Sequence, residues 1–208
     1  MMWLLWLALG CAAPGAMAET VRVCYNYGCL AEAEVHYAGH QLDQVRALLG
    51  TAQSAPDERE RLSLAIGWLL GWAGEQTPIS ADRGGNYADH GVYGRMDCID
   101  HSTTTTRLLH LLEARGWLRF HRVLEVVQRT RYLFELHYSA QIEELEDPAG
   151  ERATAGGSAR HVVDSWFRDN GQPAVVMALA DWLAGAGEVE GVGTVLVGGP
   201  GKESTVER

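Results

Sequence analysis

One cysteine of this chain stands where a thiol could act as a nucleophile. Cys98 follows the glycine-containing segment 80–96 and begins a stretch of helical periodicity. The N–H groups and the dipole of a helix start stabilise a thiolate and can also bind the oxyanion of a tetrahedral intermediate. The nearby Asp97 and Asp100 oppose this, because adjacent negative charge raises the pKa of a thiol. A histidine partner is therefore needed.

His137 is the strongest candidate partner among the eight histidines. It lies in a predicted strand, and a second predicted strand carries Asp164. A register with His137 opposite Asp164 and Ser139 opposite Val162 puts imidazole and carboxylate on one face, with Cβ atoms about 4.5–5.5 Å apart. Asp164 would then orient the ring for proton transfer with Cys98.

The remaining histidines have weaker claims. His101 shares the helix of Cys98, whereas a nucleophile and its base usually come from separate elements. His161 is expected on the sheet face opposite Asp164, and His90 is a candidate substrate contact in the glycine segment. The others lack an orienting carboxylate and are expected at the surface: His36, His40, His110 and His121.

Two further cysteines are spaced for a disulfide. A turn at residues 26–28 can bring Cys24 and Cys29 together, and an oxidising compartment favours the bond. A zinc site is the alternative, but no second ligand pair accompanies it. Cys11 either leaves with an export signal or carries a lipid, because Ala8-Leu9-Gly10-Cys11 is close to a lipoprotein signal box.

The two ends differ in composition from the middle. Residues 1–18 form an apolar run closed by Ala16-Met17-Ala18, a pattern that predicts a signal peptide. Residues 184–208 are rich in glycine and predict a flexible tail. The folded domain is expected over residues 20–183. A membrane contact is expected only through a lipid at Cys11.

Periodicity places helices before strands. Helices are predicted over residues 41–49, from Pro56 to Trp72, from Asp97 to near Gly116, and from about Val176 to Trp182; strands are predicted within residues 120–146 and 161–167. This order indicates an α+β fold with an antiparallel sheet. With 47% hydrophobic residues the chain can form a core, and its net charge of −10 disfavours nucleic acid as a partner.

Three stretches resemble the transglutaminase-like cysteine enzymes of the papain-like group: Met96–His101, Leu136–Ala140 and Val162–Phe167. In that family a cysteine at a helix start is followed by histidine and aspartate on adjacent antiparallel strands. The order Cys98, His137, Asp164 fits this pattern. The resemblance implies a papain/transglutaminase-like core and a cysteine peptidase or amidase that cleaves a protein or peptide amide. Together with the predicted signal peptide, the resemblance implies an exported bacterial protein that is either periplasmic or a membrane-anchored lipoprotein facing the periplasm.

Other functions stay open at this stage. Hydrolysis is favoured over acyl transfer to an amine, because water is abundant and nothing marks an amine site. A catalytically inactive envelope binding module with the same fold is the main alternative. A disulfide oxidoreductase is disfavoured, because this sequence has no Cys-x-x-Cys pair.

Oxyanion and metal sites are less well marked. The Cys98 N–H is the first oxyanion candidate, with Asn86, Tyr93 and Arg95 as weak ones. Exported bacterial members of the family can need calcium. The loop 82–89 has oxygen ligands but lacks the acidic density and closing glutamate of a calcium loop, so no cofactor is expected.

Overall fold

The chain folds into helices packed on antiparallel sheets, as a computed structural model shows for residues 15–132, 135–145 and 159–187. The elements run in the order β1 (Glu19–Tyr25), β2 (Ala31–Tyr37), α1 (Gly39–Gly50), α2 (Ala55–Gln76), a short 3-10 helix (Pro78–Ala81), α3 (Cys98–Ala114), β3 (His121–Arg131), β4 (Glu135–Glu144), β5 (Arg160–Asp164), β6 (Val175–Ala178) and α4 (Leu179–Leu183). One sheet is the β1-β2 hairpin, and the other has the order β3-β4-β5-β6. The predicted α+β class with antiparallel sheets is confirmed.

Two predicted elements need correction. The hairpin β1-β2 precedes the helices, so strands do not all follow them. Its sequence alternates buried and exposed residues, with Val21 and Val23 inward and Arg22 outward, which is the strand period. The last helix is shorter than expected, because Val176 belongs to β6 and pairs with Val163 of β5.

Local signals set the helix starts that matter for the site. Ser54 caps α2 by accepting a hydrogen bond from the Asp57 N–H, and Pro56 lies in the first turn. Asp97 caps α3: its Oδ1 accepts from the N–H groups of Ile99 and Asp100 at 3.0 and 2.9 Å. The capping residue of α3 is therefore the direct neighbour of Cys98.

The main core lies between the helices and one face of the larger sheet. It includes Leu62 and Ile66 of α2, Leu108 of α3, Ile142 of β4 and Val163 of β5, each almost fully buried. A second buried cluster contains Val162, Trp166, Phe167 and Trp182, and Cys98 packs against it. The larger sheet therefore has the main core on one face and, on the other, a smaller cluster that packs against the candidate nucleophile.

The segment between the 3-10 helix and α3 has no regular structure, as predicted for the glycine-rich stretch. Gly94 has φ +88°, and a Cβ atom built on it would lie 2.1 Å from the Pro78 carbonyl oxygen. Only glycine fits such an approach. This contact fixes the end of the loop directly before Arg95-Met96-Asp97-Cys98.

No helix among the described residues combines the length and the apolar character that a membrane-spanning segment requires. The first fourteen residues of the predicted signal peptide, the candidate lipid site Cys11 and the predicted tail from residue 188 onwards lie outside the described residues.

Candidate active site

His137 and Asp164 form a buried hydrogen-bonded pair. The His137 Nε2 atom lies 2.8 Å from Asp164 Oδ2, and the two residues are 3% and 2% exposed. The Nδ1 atom of His137 makes no hydrogen bond to any residue that the structure describes. The imidazole is thus anchored at one nitrogen and available at the other.

The register that produces this pair differs from the expected one. Ala140 pairs with Val163 and Gln141 with Val162, so Ser139 is level with Asp164. The expected pairing of His137 directly opposite Asp164 is wrong by two residues. A shift of two keeps every side chain on its face. His137 and Asp164 are therefore diagonal neighbours, typically about 7–8 Å apart at the backbone, and the long imidazole side chain spans the gap.

Two tryptophans hold the Asp164 carboxylate in place. The Trp182 Nε1–H donates to Oδ2 at 2.9 Å, and the Trp166 backbone N–H donates to Oδ1 at 3.1 Å. The rings of both residues also pack on His137, with centroids 4.9 Å and 5.6 Å away. These contacts restrict the rotation of both members of the pair. Neither tryptophan was a candidate site residue from the sequence.

A buried cation lies beside the pair. Arg129 of β3 is directly opposite His137, and its guanidinium sits 4.7 Å from the centre of the Trp182 ring. It donates to the carbonyl oxygens of Trp182 and Ala186. Burial lowers the pKa of Arg129, and the negative charge of Asp164 opposes that shift. Arg129 thereby fastens α4, and with it Trp182, onto the sheet.

The Cys98 sulfur lies against the backbone on both sides of His137. It is 4.0 Å from the Leu136 carbonyl oxygen, and the Tyr138 N–H donates towards it. Pairing between β4 and β5 begins only at Ala140, so among the described residues no strand covers the β5-side edge of β4 at this point, while β3 pairs along the other edge. The start of α3 occupies that open edge and brings the partly exposed thiol to the histidine strand.

The resting thiol is protonated. Burial raises the pKa of Cys98 to about 11; the Tyr138 N–H acts against this, while the charges of Asp97 and Asp164 add to it. The expectation that the helix start would stabilise a thiolate is therefore not met. Burial is the main physical reason, and the cap adds to it, because Asp97 occupies first-turn N–H groups and adds negative charge. A proton acceptor is needed for Cys98 to react.

The predicted oxyanion donors divide into two groups. With Ile99 and Asp100 bound to Asp97, the Cys98 N–H is left without an oxygen partner among the described residues. Asn86 and Arg95 both bind Asp89, at 3.1 Å each, and the exposed Tyr93 packs edge-on against Tyr25. The Cys98 N–H remains the leading candidate.

The loop 82–89 does not fit calcium. The Asp82 oxygens accept from the Met96 N–H and contact His101, at 2.9 Å each. Asp89 accepts from the Tyr27 hydroxyl and binds Arg95. Protein donors thus use the carboxylate oxygens that a calcium ion would need.

The disulfide between Cys24 and Cys29 is confirmed. Their sulfur atoms lie within 4.8 Å of an Asp100 oxygen, the geometry of a three-ligand group. Both sulfurs are spent on the disulfide, and Asp100 accepts N–H groups of the same loop. The zinc alternative is therefore not supported by this cluster.

Two histidines sit where sequence reasoning did not place them. His121, expected at the surface, is buried with its Nδ1 atom 2.8 Å from Glu58. His101 is buried between Asp82 and Ser165, at 2.9 and 2.8 Å. Glu58 lies 63 residues from His121 along the chain, and Asp82 and Ser165 lie 19 and 64 residues from His101. No local sequence pattern therefore predicts these contacts. His161 does lie on the opposite face from Asp164, as predicted, where its ring packs on His121.

No family model matches the chain, and the comparisons found neither a curated protein nor a solved structure similar to it.

Proposed function

We propose that the protein is a cysteine-dependent hydrolase that cleaves protein or peptide amides through Cys98, His137 and Asp164. The observation that carries this proposal is the hydrogen-bonded His137–Asp164 pair together with the position of Cys98. Its sulfur lies against the backbone of Leu136 and Tyr138, the residues on either side of His137. The arrangement of helix start and antiparallel strands supports the transglutaminase-like, papain-like resemblance at the level of the site.

The reaction begins with the proton on the Cys98 thiol. As the sulfur attacks the amide carbonyl, the thiol proton passes to Nδ1 of His137, and Asp164 stabilises the imidazolium through Nε2–H. The Cys98 N–H binds the developing oxyanion. His137 then donates its proton to the leaving amine, which departs as the C–N bond breaks. Water, deprotonated by His137, hydrolyses the thioester and returns the thiol.

The surface around the sulfur suits an apolar acyl group. Ile99, which follows Cys98 in the chain, and Leu136, whose carbonyl oxygen lies 4.0 Å from the sulfur, are 38% and 48% exposed. The exposed Tyr87 ring packs edge-on against Trp166. Exposed aliphatic and aromatic side chains next to a nucleophile favour an apolar residue at the scissile bond. We expect peptides with such a residue to react fastest, with water as the acceptor in preference to an amine.

The disulfide is also consistent with the proposed export. Disulfides form and persist in the periplasm and other oxidising compartments. We therefore propose a periplasmic location, reached with the signal at residues 1–18, and leave lipid attachment at Cys11 to mass analysis of the mature N-terminus.

The proposal is tested by acylation of Cys98. The purified protein is treated with 4-nitrophenyl acetate, and the acetylated residue is located by peptide mass mapping. Acetylation should occur at Cys98, be lost in Cys98→Ala, and slow about a hundredfold or more in His137→Ala, the usual range for a missing general base. His110→Ala, which removes an exposed histidine, serves as the matched control.

Acetylation elsewhere, or equal rates in His137→Ala and His110→Ala, would end the proposal. The inactive binding module would then be the better description. Addition of hydroxylamine or a primary amine distinguishes the acceptor: hydrolysis predicts free acid as the main product when water and amine compete.

A further inference from the structure

The loop closed by the Cys24–Cys29 disulfide lies directly against the start of α3. Three of its consecutive N–H groups donate to the two carboxylates that flank Cys98. Tyr27 and Cys29 bind Asp100 at 2.7 and 2.6 Å, and Gly28 binds Asp97 at 3.0 Å. Successive inward-facing N–H groups of this kind form a concave site for anionic oxygen.

This loop has an unusual backbone. Four residues in a row have left-handed φ values: Asn26, Tyr27, Gly28 and Cys29, at 66°, 67°, 64° and 55°. Non-glycine residues adopt this region at a cost in free energy, and rarely in succession. The covalent bond and the two carboxylates together hold a conformation that the chain would otherwise leave.

The contact continues beyond the two carboxylates. Cys24 donates its N–H to the Thr104 hydroxyl of α3 at 2.9 Å. Asn26 bonds to Arg95 and Gly94, at the end of the segment that leads into Cys98. The loop therefore fixes the chain on both sides of the nucleophile.

We propose that the disulfide loop 24–29 is a positioning device for Cys98, and that full reactivity of the thiol towards acyl groups requires an intact Cys24–Cys29 bond. This inference rests on the proposed nucleophilic role of Cys98. The loop contacts neither His137 nor Asp164 among the described hydrogen bonds; it acts by holding Asp97 and Asp100, and through them the sulfur beside His137.

The proposal makes the site sensitive to reductants. A dithiol such as dithiothreitol transfers two electrons and two protons to the disulfide, which breaks into two thiols while the dithiol closes to a cyclic disulfide. The loop then loses its covalent closure, and its left-handed residues relax. Cys98 itself is already a thiol and is not altered by this step.

The test measures acetylation of Cys98 by 4-nitrophenyl acetate in four proteins: wild type, Cys24→Ser/Cys29→Ser, His137→Ala and the combination. Opening the loop should slow acetylation about tenfold in the folded wild-type background, as for other losses of geometric alignment. In the His137→Ala background it should have no effect, because the loop acts by aligning Cys98 with that base. Brief reduction with dithiothreitol should slow wild type and leave the double serine variant unchanged.

A purely structural disulfide would lower the melting temperature without changing the rate in folded protein, and that result overturns the proposal. Equal slowing in both histidine backgrounds overturns it as well. If the double variant does not fold, Asp100→Asn replaces it, since this change puts an NH2 donor in place of one of the two carboxylate oxygens that accept loop N–H groups, while the disulfide stays.

Amide hydrogen exchange separates this inference from the proposed function. The Tyr27 and Cys29 amide protons should exchange slowly in the oxidised protein and at least tenfold faster after reduction, whether or not Cys98 acetylates. Unchanged exchange overturns the positioning role even if the protein is an active hydrolase. Faster exchange in a protein that never acetylates would locate the failure in the proposed function instead.

Discussion

Two histidine–aspartate pairs lie close together in this protein, and they have nearly the same geometry. His137 contacts Asp164 at 2.8 Å, and His101 contacts Asp82 at 2.9 Å. All four side chains are buried. The two pairs differ in what stands at the second nitrogen of the imidazole, and this difference is the reason why only the first is proposed as catalytic.

The second nitrogen of His101 is used by a buried hydroxyl. Its Nδ1 atom lies 2.8 Å from Ser165 Oγ, which in turn lies 2.9 Å from the Thr105 hydroxyl. Ser165 is only 3% exposed. Aspartate, histidine and serine therefore align as in a hydrolase triad, but no substrate can reach the serine. The chain of bonds connects α3 to the glycine segment and to the end of β5.

The second nitrogen of His137 has no hydrogen-bond partner among the described residues. Cys98 is partly exposed, and its sulfur lies against the backbone of Leu136 and Tyr138. A histidine–aspartate contact alone thus identifies no active site. We call the buried chain of His101, Asp82 and Ser165 the internal brace. The catalytic candidate His137 differs from it in two respects: a solvent-accessible thiol lies near its strand, and one ring nitrogen has no hydrogen-bond partner among the described residues.

Replacing each histidine should give the largest contrast. His137→Ala is expected to lower the acylation rate of Cys98 about a thousandfold, because the thiol loses its proton acceptor. His101→Ala should change the rate of the folded protein less than tenfold. Stopped-flow release of 4-nitrophenolate measures both rates, and a larger loss in His101→Ala would reverse the assignment.

The pH dependence of Cys98 alkylation should come next in size. With its pKa raised to about 11, the free thiol loses its proton only as the pH rises towards that value. In His137→Ala, the rate with iodoacetamide should therefore increase about tenfold per pH unit, or about a hundredfold between pH 7 and pH 9. Quantification of the alkylated peptide gives the profile, and a plateau below pH 9 would show that the thiol is not held neutral.

The indole bond to Asp164 offers a smaller and sharper test. Trp182→Phe keeps most of the aromatic packing and removes the Nε1–H donor. One hydrogen bond to a charged group is worth about 1.5–3 kcal/mol, so acylation should fall roughly tenfold to a hundredfold with little change in substrate affinity. The matched change Trp68→Phe, on the exposed side of α2, should leave the rate as it is.

A substitution in the internal brace should lower the stability of the fold and change the acylation rate of Cys98 little. His101→Leu removes the partner of Asp82 Oδ2 and one of the two partners of the Ser165 hydroxyl, and each buried polar atom left unsatisfied costs about 1–3 kcal/mol. The urea midpoint should fall accordingly. A fluorophosphonate should not label Ser165 in the wild-type protein; a labelled Ser165 would mean that the second pair is also an active site.

Much of the architecture follows from local sequence. Pro56 and Ser54 begin α2, Asp97 begins α3, and the glycine segment before it forms an irregular loop. The same signals also placed Cys98 at a helix start. The hairpin β1-β2 carries an alternating pattern too, but its short strands and small residues gave a weaker signal than the helices did.

The register between β4 and β5 could not be obtained in this way. The connection between them is long, and a register is fixed by loop geometry and packing that residue types do not display. An error of two residues left His137 and Asp164 on one face because the side chains of a strand alternate with period two. The expected pair was therefore right about the contact and wrong about the alignment.

The sequence by itself determined which groups could react: a cysteine at a helix start, a histidine and an aspartate in strands, and two cysteines spaced for a disulfide. Tertiary structure alone decided the environment of each. Burial and the charge of the capping Asp97 raise the pKa of Cys98. Two tryptophans donate hydrogen bonds to Asp164, and N–H groups of the loop 24–29 donate to Asp97 and Asp100. Residue type fixes what a side chain can do, whereas its solvation and its partners come from segments far along the chain that only folding brings together.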